Sequence, residues 1–139
     1  MKKYKILSYI FAIAISLLLI QCNSDKKKLN RELTKIAAEW NRSTPVALEA
    51  HTRFDSVGVT PDNVFQYYYT ITNIDNPQEL IASYKNEMLE KMDKMYATDR
   101  SLQFFVENGV TMEYIYRDTM QNVVDVIIIE TDKYRRTKE

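Results

Sequence analysis

Asn76-Pro77-Gln78-Glu79, just past the middle of the chain, commits the next twenty or so residues to a helix. Asn suits the N-cap. Pro takes the first helical position, where its missing N–H costs nothing, and Glu79 sits near the positive end of the helix dipole. Leu80, Ile81, Tyr84, Met88, Met92, Met95 and Tyr96 then fall on one stripe at helical spacing. Glu87 with Lys91 and Glu90 with Lys94 are i,i+4 pairs in the favourable order. Thr98 or Asp99 restarts a short helix through Leu102, Phe105 and Val106, and Asn108-Gly109 ends it, Gly109 being free to take φ > 0.

The segments flanking this helix pair have a period of two. From Val46 to Val57, Val46, Leu48, Ala50, Thr52 and Phe54 alternate with Glu49, His51, Arg53 and Asp55, the pattern of one half-buried strand. Thr60-Pro61-Asp62-Asn63 is a turn. Val64–Thr72 is the next strand, with Phe65, Tyr67, Tyr69 and Ile71 on one face and Gln66, Tyr68, Thr70 and Thr72 on the other. Val110–Arg117 and Val123–Thr131 are two more, joined by Asp118–Asn122, short enough for a hairpin. Before them all, Leu29, Leu33, Ile36, Ala37 and Trp40 predict a helix over 28–41 that stops ahead of Pro45. The order helix, hairpin, helix pair, hairpin predicts an α+β fold, a four-stranded antiparallel sheet with helices packed on one face. A chain of 139 residues has room for one such domain.

Lys2, Lys3 and Lys5 precede Ile6–Ile20, an apolar run interrupted only by Ser8 and Ser16. The run is short for a membrane span of about 20 residues and suits a signal-peptide h-region. It ends Leu19-Ile20-Gln21-Cys22, while the small residues Ala12 and Ala14 lie too early for a cleavage site. This resembles a bacterial lipoprotein signal, with Gln21 standing where that pattern prefers a smaller residue. The resemblance implies a signal over 1–21, lipidation of Cys22, a tether over 22–28, a domain over 29–132 and a basic tail over 133–139. An uncleaved signal anchor is the alternative. Both place the domain in the cell envelope, tethered to a membrane outside the cytoplasm.

Without Lys2, Lys3 and Lys5 the chain carries 16 basic and 19 acidic residues. Lys26, Lys27, Lys28, Arg31 and Lys35 cluster beside the anchor, and Lys133, Arg135, Arg136 and Lys138 at the other end. Between 36 and 132 there are 7 basic and 16 acidic residues. An acidic body does not present the basic face of a nucleic-acid binder. The lysines beside the anchor are either a solvated tether or a contact for anionic headgroups.

Glu49, His51, Arg53 and Asp55, on one side of the first strand, are the only constellation with catalytic types. A carboxylate can orient an imidazole as general base, but nothing supplies a nucleophile or oxyanion hole. A solvated outer face with alternating charge is the simpler reading. Two glycines, one His and one Cys leave no Gly-rich phosphate loop, His-based metal cage or internal disulfide, so no cofactor or metal is expected. In the last strand, Asp125 suggests that Val123, Ile127 and Ile129 face outward beside Tyr68. The expected binding face is then Glu49, His51, Arg53, Asp55, Tyr68, Ile127 and Ile129. The Met88, Met92 and Met95 stripe reads as core first and as an adaptable groove second.

Thr52-Arg53-Phe54-Asp55-Ser56-Val57, Tyr67-Tyr68-Tyr69-Thr70, and Asn108-Gly109-Val110-Thr111 with Tyr114-Ile115-Tyr116-Arg117-Asp118 resemble a family of small, uncharacterised bacterial envelope proteins. The likeness runs from Pro45 to about Thr131. Members often carry a Cys after the long helix and another near the end of the last strand; this chain has Tyr96 and polar residues near those places. The resemblance implies an extracytoplasmic α+β domain and assigns no activity. The expected function is a membrane-anchored, non-enzymatic protein-binding module of the inhibitor, immunity or structural kind. A weak hydrolase or small-ligand site around Glu49, His51 and Arg53 is the alternative.

Overall fold

A computed structural model describes residues 24–135, the side chain of Glu49 excepted. The signal segment 1–21, Cys22 and the tail beyond 135 lie outside the described residues. Helix α1 is described over 24–40, so 24–28, expected as tether, are helical. A 3-10 turn, Asn41–Ser43, leads to strands β1 (Val46–Glu49), β2 (Thr52–Val59) and β3 (Phe65–Ile71). Helix α2 (Pro77–Thr98) comes after β3, then a 3-10 turn (Arg100–Leu102) and the short α3 (Gln103–Glu107). Strands β4 (Thr111–Arg117) and β5 (Val123–Glu130) and a last 3-10 turn (Thr131–Tyr134) complete the order.

The α+β class holds, but the sheet has five strands in the order β1-β2-β3-β4-β5 and is mixed. Two features separate it from the expected four antiparallel strands. Val46–Val57 is not one strand: the chain reverses at Ala50-His51, and Glu49 pairs with Thr52. A two-residue turn alone shifts the alternation by one, Glu49 pairing with Thr52, but the bulge between Ala47 and Glu49 restores it, Val46 pairing with Phe54, so alternation conceals the reversal. The second feature is the central pairing, in which β3 and β4 run parallel, Phe65 beside Met112 and Thr70 beside Arg117. Helix α2 carries the chain back along the sheet, and such a return is what parallel neighbours require.

Both long helices lie on one face of the sheet. Leu33 and Ala37 of α1 and Ile81, Met92 and Tyr96 of α2 are buried against Phe65, Tyr67, Ile71, Met112, Tyr114, Tyr116, Ile127 and Ile129. Burying each large apolar side chain contributes about 1.5–3 kcal/mol before entropy is counted. Trp40 packs edge-on to Phe65 at 6.2 Å while staying partly exposed. Where β1 ends, Asn41 takes over the edge of β2: its amide donates to the Val57 carbonyl at 2.9 Å and accepts from the Val57 N–H at 2.7 Å. Asn76 caps α2 as its position predicts, accepting from the Glu79 N–H. Gly109 sits at φ +60° after α3.

The outward placement of Ile127 and Ile129 is corrected. They are 2% and 4% exposed, on the helix side, opposite Tyr114 and Met112. Asp125 shares that side because Lys85 of α2 reaches it at 2.7 Å, at the sheet margin where both stay partly solvated. A charge on an edge strand therefore does not mark the solvent face. The exposed apolar residues of β5 are Val123, as expected, with Val126 and Ile128.

Candidate functional site

The expected binding face divides into separate places. Arg53 and Asp55 lie on the open face of the sheet as an ion pair, and Asp55 also accepts a hydrogen bond from the buried Thr70 hydroxyl. A bulge at Asp55 lets Phe54 and Val57 both turn toward the helices. Tyr68 lies on the open face too, its hydroxyl donating to Gln66 at 2.9 Å and its ring 4.6 Å below the Arg117 guanidinium. His51 is not beside them. It occupies the β1–β2 turn, with Nδ1 3.2 Å from the Thr72 carbonyl oxygen. Glu49 stands on β1, across the turn from Thr52. Ile127 and Ile129 are core. No group of His, Cys, Asp and Glu side chains suited to a metal ion occurs among the described residues.

What the fold does assemble is a groove of about 500 Å³ between the β1–β2 turn and α2. Its floor is Tyr69, Tyr114 and Tyr116; its walls include Leu48 and His51 on one side and Tyr84, Met88 and Met92 on the other. It exists because α1 roofs the sheet at the end nearest the 60–63 turn and α2 roofs β4 and β5. Between them Tyr69 of β3 and Thr52 at the start of β2 are left only partly covered. Leu48 and Tyr84, each 54% exposed, make an apolar rim, and Glu87 with Lys91 make a charged one. A shallower hollow of about 410 Å³ adjoins Trp40, Val46 and Phe54.

The floor is rigid and uncharged. Tyr69 stacks on Tyr116 at 5.1 Å and Tyr67 on Tyr114 at 4.8 Å. The Tyr114 and Tyr96 hydroxyls share a hydrogen bond of 2.6 Å, and Tyr116 donates to the Met88 sulfur at 3.6 Å. Burial pushes Tyr114 up to about 12 and Tyr116 up to about 12, and it raises Tyr67, Tyr69 and Tyr96 as well. These hydroxyls stay protonated at neutral pH, so they offer hydrogen bonds and apolar area rather than a nucleophile. Met88 and Met92 serve both readings of their stripe, since they pack on the core and line the groove. The tyrosine floor was legible only as core; nothing in the sequence says which core residues the helices leave uncovered.

A family model described as a domain of unknown function (DUF8479) matches residues 28–124. The chain belongs to that family. The DUF8479 match starts in α1 and runs into β5, so it takes in the groove and both helices beside it. A trigger factor from Helicobacter acinonychis (strain Sheeba) is 29% identical over 97 residues, 68% of this chain and 22% of that protein. The chain thus spans about a fifth of that curated relative's length. Among solved structures, a candidate secreted protein from Pseudomonas aeruginosa superposes with a TM-score of 0.68 at 14% identity, over 79% of this chain and 96% of that one. EpsS, a pilotin from the Vibrio vulnificus type 2 secretion system, gives 0.57 at 10% identity, over 83% and 99%. At these identities the likeness is one of fold.

Proposed function

We propose that this chain is a non-enzymatic envelope module, tethered to a membrane through Cys22, that holds an apolar segment of a protein partner in the groove over Tyr69, Tyr114 and Tyr116. The groove carries the reading. It is open, lined by aromatic and methionine side chains, and rimmed by exposed Leu48 and Tyr84. Flexible Met side chains beside rigid aromatic ones adapt to an apolar partner and hold it. The lipoprotein-like start of the chain supports the tether. The fold neighbours, one a candidate secreted protein and one a pilotin of a secretion system, support a place in the envelope and a protein partner there. The hydrolase alternative loses its constellation, because Arg53 projects from the open face while His51 lines the groove on the helix side.

The test is site-specific photocrosslinking of the full chain in the cells that make it. A crosslinker replacing Tyr84 or Leu48 should give a discrete protein adduct, and one replacing Ile128 on the open face should not. Adducts from Ile128 alone, or none from the two groove positions, would move the function elsewhere.

A further inference from the structure

The lysines beside the anchor have two readings from sequence, loose tether or headgroup contact. The helix expected over 28–41 is described from residue 24, so Lys27 joins Lys28, Arg31 and Lys35 on one rigid element, and this decides what their charges do together. Leu29, Leu33, Ile36 and Ala37 turn inward, Leu33 with no exposure at all. Lys28, Arg31 and Lys35, spaced by three and four, fall on the opposite side, with Lys27 one position from them and all four exposed. At about 100° per residue that spacing is one straight stripe. Thr34 and Ala38, also exposed, continue the same outer side, so no large apolar group breaks it. The acidic groups of the helix flank the stripe: Asp25, Glu39, and Glu32, whose carboxylate lies 3.1 Å from Lys35 Nζ. Beyond the helix the body is acidic, with 15 carboxylates against 7 basic residues between 41 and 132.

The helix is fixed to the domain near its start. Asn30 donates to the Thr60 carbonyl and to the Asn63 side chain, each at 2.8 Å, and Asn63 donates to the Lys26 carbonyl at 3.2 Å. The stripe is thus part of the rigid body. The apolar run Ile6–Ile20 ends only three residues before the described helix.

From this we propose that the Lys27, Lys28, Arg31 and Lys35 stripe rests on the anionic phospholipid surface of the membrane that holds the anchor, and so fixes how the domain stands on it. This rests on the tether reading above. The occupant is set by two facts: the stripe is basic without large apolar residues, so it lies on headgroups rather than among acyl chains, and a lipid on Cys22, as the tether reading has it, holds a bilayer within a few residues of it. The groove lies at the opposite end of β2 from the 60–63 turn that grips α1. Contact through the first turns of α1 is therefore made at the end of the sheet remote from the groove.

The full chain, purified from its membrane and reconstituted into vesicles, tests this. Vesicles of phosphatidylcholine alone are compared with vesicles containing phosphatidylglycerol. Acetylation of each lysine by a water-soluble reagent is read by mass spectrometry. Lys27, Lys28 and Lys35 should react several-fold more slowly on the anionic vesicles, Lys94 of α2 should not change, and 1 M salt, with a Debye length of about 3 Å, should abolish the difference. In the Arg31→Glu/Lys35→Glu chain, checked for an unchanged circular dichroism spectrum, the protection of Lys28 should be lost. Equal rates on both vesicles, or protection that survives the double substitution, overturns the inference and leaves the tether standing. A chain washed off by alkaline carbonate overturns the tether and the inference together.

Discussion

Ile127 and Ile128 are adjacent in β5, yet they should answer very differently to the same substitution. Ile127→Asp removes a side chain that is 2% exposed and packed in the core opposite Tyr114. The lost burial is worth about 1.5–3 kcal/mol. The new carboxylate has no partner there, and burying an unpaired polar or charged group costs a further 2 kcal/mol or so even when it takes up a proton. The sum is about 3.5–5 kcal/mol, toward the extreme of single substitutions and a large part of the 5–15 kcal/mol a domain usually has. At roughly 4 °C per kcal/mol for a domain of this size, the melting temperature should fall on the order of 15 °C. Ile128 is 56% exposed on the open face, and its cross-strand neighbour is Glu113. Ile128→Asp loses little burial and sets two like charges opposite each other, at most about 1 kcal/mol. Thermal melts of both variants, followed by circular dichroism at neutral pH, separate the two. If Ile128→Asp proves the more damaging, the face assignment of β5 is wrong, and with it the packing of α2 on the sheet.

The tyrosine floor and the anchor give two further expected outcomes. Tyr114 and Tyr116, each pushed up to about 12 by burial, keep their protons in the folded chain above the pH at which an unfolded tyrosine, near 10, loses its own. The unfolded state then binds fewer protons, so stability is intact below about pH 10 and declines between about pH 10 and 12. Absorbance at 295 nm against pH should show these residues ionising only as the fold is lost, and a titration complete by pH 11 with the circular dichroism unchanged contradicts the burial. Cys22→Ala should abolish incorporation of labelled fatty acid and release a precursor or soluble form; equal labelling of both chains rules out lipidation at Cys22.

The elements themselves were largely legible because their signals are local. Asn76-Pro77 announces α2 through a cap and a fixed φ, and Phe65, Tyr67, Tyr69 and Ile71 announce β3 through alternation. What escaped was relational. The reversal at Ala50-His51, together with the bulge between Ala47 and Glu49, keeps the period of two and carries none of the Asn-Gly chemistry that marks a two-residue turn. The direction of β4 depends on where α2 returns the chain, not on any residue of β4. The facing of β5 was inferred from Asp125, and Lys85, 40 residues away, makes that carboxylate acceptable on the helix side. Most of the candidate site is relational in the same way: Tyr69, Tyr114 and Tyr116 read as core from sequence, and they become a floor only because two helices leave a gap above them.

The parallel seam between β3 and β4 also shapes the order of assembly in time. The meander β1-β2-β3 and the hairpin β4-β5 are each local, so either can close over a short loop. Their union is not: Gln66 meets Glu113 across 47 residues. Closing a loop of that length carries a logarithmic entropic penalty that neither half bears alone, and such distant pairings slow folding. Until the seam forms, β3 has one bare flank, and the adjoining aromatic ladder of Phe65, Tyr67 and Tyr69 lacks the Tyr114 and Tyr116 rings that stack against it. That interval is when the chain's most adhesive surface is least covered.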